Sequence, residues 1–108
     1  GFDLCIGLSI ISKDKLKANQ ISTGFLRVLG LEAQEQTRRI VLLQPTCASV
    51  ESQEHLRISI SASSWPAIGV NPGNEQKDCG PPGPNCLVIT LKINLDQSKF
   101  QILPLLGQ

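Results

Sequence analysis

The sequence predicts an α+β fold, mainly antiparallel β-sheet with one helix packed on a sheet face and disulfides to hold it. Three observations carry this expectation. Cys86–Leu95 alternates strictly, with Leu87, Ile89, Leu91, Ile93 and Leu95 on one side and Cys86, Val88, Thr90, Lys92 and Asn94 on the other. That period of two gives a strand one apolar row for a core and one more polar row. A second stretch, Ser22–Arg39, places Ile21, Phe25, Val28, Leu29 and Ala33 at spacings of three and four, the stripe of an amphipathic helix. Four cysteines in a chain of 108 residues are an even count for two bridges.

In chain order, the first strand is residues 2–11. Phe2, Leu4, Ile6, Leu8 and Ile10 alternate with Asp3, Cys5, Gly7, Ser9 and Ile11. Residues 12–20 are polar and carry Lys13, Lys15 and Lys17, with Asp14 between them; they read as a solvated connection or a short helix. The helix is expected over 22–38. Ser22 stands at the N-cap and Arg38 and Arg39 in the last turn, where cations meet the negative end of the dipole. Gly30 weakens it. The alternative is a strand from Phe25 to Leu31, and with it an all-β sandwich.

Ile40-Val41-Leu42-Leu43 is a short apolar run stopped by Pro45, read as a buried strand over 39–45. Residues 55–63 form the next strand, with Leu56, Ile58, Ile60 and Ala62 alternating with polar partners. From Ser64 to Asn85 there is no period. Trp65-Pro66, Asn71-Pro72-Gly73 and Gly80-Pro81-Pro82-Gly83-Pro84 are successive breakers, and a structureless stretch of about twenty residues inside a domain points to a functional or a mobile loop. A hairpin follows, with strands 86–95 and 99–105 around the polar tetrad Asp96-Gln97-Ser98-Lys99; Pro104 puts its second strand at an edge. The rows Phe2/Leu4/Ile6/Leu8, Leu56/Ile58/Ile60 and Leu87/Ile89/Leu91/Ile93 are expected to meet in one core, in a single domain of residues 1–108.

Composition narrows the function. Apolar residues make up 41% and charged ones 18%, a globular balance. Ten Lys and Arg against nine Asp and Glu leave +1, no general attraction to nucleic acid or anionic membrane. With three Phe, one Trp and no Tyr, a base- or sugar-stacking surface is poorly supplied. No apolar run approaches the ~18 residues of a membrane span. Gly1-Phe2-Asp3, with no Met in the chain, reads as a processed end or a domain cut from a longer protein.

Cys5, Cys47, Cys79 and Cys86 allow three pairings. A short Pro-rich loop favours Cys79–Cys86, which leaves Cys5–Cys47, and two bridges imply an oxidising, extracellular compartment. His55 is the only histidine and lies on the polar side of its strand; nothing nearby in sequence supplies a nucleophile for it. Six residues separate Cys79 from Cys86, too many for a zinc knuckle. The acids are dispersed, and no phosphate loop is present. No catalytic, cofactor or metal site is therefore expected.

The expected function is a secreted, disulfide-stabilised, non-enzymatic binding protein, of effector, toxin or inhibitor type, that presents the Pro/Gly-rich loop to a protein partner. Trp65, Lys77, Pro81, Pro82 and Asn85 are the candidate contacts, because a stiffened loop loses little entropy on binding. The first alternative is a structural subunit that self-associates through exposed strands into an oligomer or filament. The second is a small secreted enzyme.

Overall fold

In the computed structural model, residues 1–64, 66–73 and 83–103 are described. They hold one three-stranded antiparallel sheet in the order β2-β1-β3: β1 is Phe2–Ile11, β2 Ala18–Val28 and β3 His55–Ser61. The rest is loop with two short 3-10 turns, Gly30–Gln34 and Leu95–Gln97.

The central strand is the one the alternation of residues 2–11 predicts. The connection after it is a tight hairpin loop. The Ser12 amide donates to the Lys17 carbonyl at 2.9 Å, and the Lys15 amide to the Ser12 carbonyl at 2.8 Å. The Asp14 carboxylate accepts from the Ser12 hydroxyl at 2.5 Å and the Leu16 amide at 3.0 Å. These bonds hold its pKa below the ordinary value, the Ser12 hydroxyl contributing most. Asp14, the residue that breaks the run of lysines, is thus a fastener of the turn.

The helix expected over 22–38 is absent; Ser22–Val28 is β2. The helical stripe was a coincidence of spacing, since Ser22, Gly24, Leu26 and Val28 alternate equally well and lie opposite Leu8, Ile6, Leu4 and Phe2. Glycine in a helix interior costs about 1 kcal/mol relative to alanine, and Gly24 and Gly30 both fall in the expected helix. A ready template in β1 decided the contest. Leu8 faces Ser22 while Ser9 faces Gln20, so Ile21 is the extra residue of a bulge. The alternative of strand character from Phe25 onward holds as far as Val28, but no second sheet is present among the described residues, so the sandwich is not formed either.

The strand expected over 39–45 shrinks to one backbone hydrogen bond, from the Gln44 amide to the Thr23 carbonyl at 2.9 Å. Residues 86–103 form no ladder. The turn between them is nevertheless where the polar tetrad predicts it: the Asn94 side chain accepts from the Gln97 amide at 3.3 Å and caps the turn Leu95–Gln97. Residues 104 and 105 of the second expected strand lie outside the described residues.

Register assigns the faces, because directly opposed residues share a side. Phe2, Leu4, Ile6, Leu8 and Ile10 share one with Leu26 and Val28 of β2 and Leu56, Ile58 and Ile60 of β3. Two of the three expected core rows therefore share a face, but Leu56, Ile58 and Ile60 stay exposed, so they do not meet in a core. The third row forms no strand, and Leu87, Ile89 and Ile93 are exposed as well. Residues 39–44 cross this face at the β2 side. The Arg39 guanidinium sits 5.2 Å from the centre of the Phe2 ring, and the Leu42 carbonyl lies against Gly24. Among the described residues the buried apolar side chains are Cys5, Leu8, Ile10 and Val28, a small core for a chain of this length.

Candidate functional site

The opposite face carries the chemistry. Asp3, Cys5, Gly7 and Ser9 run along β1, flanked by Arg27, Phe25, Thr23 and Gln20 on one side and Ser61, Ser59 and Arg57 on the other. Asp3 is 1% exposed, the deepest large side chain described. A buried carboxylate must be paired and hydrogen-bonded, and this one is. Its cross-strand partner Arg27 grips it through Nε to Oδ1 and Nη2 to Oδ2, both at 2.8 Å. The Asn71 amide nitrogen donates to Oδ1 at 3.2 Å. Arg27 Nη2 also donates to the Gly69 carbonyl at 2.6 Å.

This cluster ties the base of the Pro/Gly-rich loop to the sheet. Asn71 Oδ1 accepts from the Gly73 amide at 3.0 Å, and Gly73 takes a φ of +77° that suits glycine. The Leu87 amide then donates to the Pro72 carbonyl at 2.8 Å, closing the loop from its two ends. Sequence reasoning gave that closing role to a Cys79–Cys86 bridge. Cys86 instead carries a free thiol, and Cys79 lies outside the described residues. Cys5 and Cys47 are free as well. Cys5 points to the face of Phe25 and Ser61, whereas the chain leading to Cys47 passes Gly24 on the other face, so the two are not placed to bond. The disulfide framework is corrected accordingly, and with it the argument for an oxidising compartment.

Next to Asp3 the same face sinks into a hollow of about 160 Å³, lined by Cys5, Ile6, Gly7, Gln20, Thr23, Phe25, Ser59, Ser61 and Ser64. Gly7 makes its floor, with no side chain between Gln20 and Ser59. The lining is neutral and rich in hydroxyls. Burial pushes the Cys5 thiol up, the Asp3 carboxylate pushes it further, and a hydrogen bond with Ser61 and the charge of Arg27 pull it back in part. A thiol so held is a poor nucleophile. His55 is exposed at the far end of β3, opposite Ile11. Among the described residues no group of three or more His, Cys, Asp or Glu side chains gathers to hold a metal ion.

Of the candidate contact residues, Asn85 is exposed beside the loop closure, and Trp65, Lys77, Pro81 and Pro82 lie outside the described residues. The Asp3–Arg27–Asn71 cluster escaped the sequence reading because Arg27 was placed on a helix and Asn71 was read only as a turn former. One signal was there. Asp3 stands between Phe2 and Leu4 in the most apolar strand of the chain, and an acid in that position is buried only when a cation meets it.

No helix among the described residues is long and apolar enough to cross a membrane. No curated protein and no solved structure matches the chain. A family model does match, over residues 1–101, which is nearly the whole length. By a match of that extent the chain belongs to the family of the X-Pro dipeptidyl-peptidase C-terminal non-catalytic domain.

Proposed function

We propose that this chain is the accessory β-domain of an X-Pro dipeptidyl-peptidase-like enzyme: it packs beside a catalytic unit and supports it, while the bond-breaking residues lie outside this chain. The observation that carries the reading is the family match over residues 1–101, to a domain described as non-catalytic. The chemistry of the sheet agrees with it. The buried thiol is pushed away from its reactive form, and the lone histidine is exposed far from it. No observation supports a secreted effector or toxin, and that expectation gives way to this one.

The Pro/Gly-rich loop keeps a place in the proposal. Its base is fastened by Asp3, Arg27 and Asn71, and Trp65, Lys77, Pro81, Pro82 and Asn85 stay the candidate contacts for the catalytic unit or its peptide substrate.

The test is His55→Ala in the full-length enzyme, assayed on a peptide substrate with proline in the second position. The expected kcat/KM stays within about twofold of the parent. A loss of the roughly 100-fold or more that removal of a general acid or base produces would put this domain in the reaction and overturn the reading.

A further inference from the structure

The two outer edges of the sheet are built differently. On β2 the edge is blunted by the bulge at Ile21 and covered at Thr23 by Gln44. The Ser22 hydroxyl fixes that cover by donating to the Gln44 carbonyl at 2.5 Å. On β3 no such device is found among the described residues. Its pairing with β1 runs from His55 to Ser61 without a bulge, it has no Pro or Lys, and its one charged residue, Arg57, lies opposite Ser9 on the other face from Leu56, Ile58 and Ile60. All seven of its residues are exposed. Leu56, Ile58 and Ile60 are each 42% exposed and lie opposite Ile10, Leu8 and Ile6, so a charge-free aliphatic row ends on an open backbone ladder. Natural sheets guard their edges with charge, proline, bulges or a covering segment. On the aliphatic side of β3 none of these is found among the described residues, which marks that side for a partner.

We infer that the free edge of β3, with the row Leu56/Ile58/Ile60, is the docking seam for the catalytic unit, which supplies an extended, uncharged segment with aliphatic side chains at alternate positions. The inference rests on the accessory-domain reading above. Two observations choose this occupant. The family is described as the C-terminal domain of a peptidase, and a catalytic unit on the same polypeptide is held at high effective concentration. The row has no charge, which fits the apolar centre of an interface and rejects an acidic or basic partner. The opposite face offers no equal, since its Asp3 end is already closed by residues 69–73 and the remainder is lined with hydroxyls.

The experiment is residue-resolved hydrogen exchange on the intact full-length peptidase. The β3 amides that point away from β1 are expected to exchange at least about 100-fold more slowly than those of the exposed loop 12–17, as paired amides do. Exchange at the rate of that loop would overturn the seam. Ile58→Lys in the full-length protein should lower its melting temperature and speed exchange along β3, whereas Ser59→Lys, on the other face, should do neither; a silent Ile58→Lys counts against the seam. Deleting residues 1–103 separates the two claims. If the deletion leaves the stability and activity of the catalytic unit unchanged, the accessory reading falls and the seam with it. If the deletion destabilises that unit while the outward β3 amides exchange freely, the accessory reading stands and the seam lies elsewhere.

Discussion

The half of the sheet formed by β1 and β2 and the half formed by β1 and β3 share a central strand but are finished differently. The first is complete. Asp3 and Arg27 lock it at one end, the Ser12–Lys17 turn closes the other, and Gln44 covers its outer edge. The second has a regular register and nothing further, with every residue of β3 exposed. The difference teaches that local pairing and burial are separate requirements. Alternation is enough to align Leu56, Ile58 and Ile60 with β1, but covering them takes a further surface, and none is found among the described residues.

The largest break expected is at the lock. Asp3→Ala removes a carboxylate with three hydrogen bonds and leaves Arg27 and Asn71 without it. Breaking a buried ion pair costs about 3–5 kcal/mol. Because the Arg27 side chain is 34% exposed and can turn to water, the lower end, about 3 kcal/mol, is the expected loss in a denaturant melt. A loss no larger than that of Ser59→Ala, at an exposed position of β3, would erase the distinction between the halves.

The lock also marks where the sequence stopped being legible. The first strand, the strand at 55–61, their shared face and the turn at Leu95–Gln97 all follow from alternation and turn chemistry, which are local. β2 did not, because Ile21, Phe25, Val28 and Leu29 fit a helix as well as a strand, and only the pairing with β1 chose between them. The pairing of Asp3 with Arg27 spans 24 residues of chain and depends on that choice. The cysteines misled for a related reason. Their number was even and their spacing inviting, yet whether two thiols meet depends on which face of a sheet each one takes. Strand 86–95 shows the limit of alternation itself: a faultless period of two makes a strand possible, and a ladder still requires an edge to pair with.

A smaller contrast sharpens the comparison at two glycines. A Cβ on Gly24 would fall 2.4 Å from the Leu42 carbonyl oxygen and 2.8 Å from Leu43 Cδ2, so Gly24→Ala must push the covering segment away. Overpacking of this kind costs about 1–3 kcal/mol. A Cβ on Gly7 would meet nothing closer than Gln20 Nε2 at 3.7 Å, an ordinary contact. Gly7→Ala should therefore stabilise by about 0.5 kcal/mol, through reduced freedom of the unfolded chain. Equilibrium melts of the two variants should move in opposite directions. The same sign in both would mean that residues 42–44 do not press on the β2 side.

The smallest effect expected is at Cys5, and it reports on the open half. Its thiol lies between Phe25 on one side and Ser61 on the other, and its pKa is raised, first by burial and then by the Asp3 carboxylate. A group whose folded pKa lies above its unfolded value, here 9.0, contributes stability that is complete below that value and is lost as pH rises through the folded one. Melting temperature should accordingly fall as the solution is taken above pH 9, and less so in Cys5→Ser. Alkylation gives the kinetic counterpart. Exposed Cys47 should label first and buried Cys5 at least about tenfold later, since reaction needs an accessible thiolate. Equal rates would mean that β3 swings away from Cys5 often enough to admit the reagent. If so, the seam at β3 would have to be closed by its partner before the strand is stable at all.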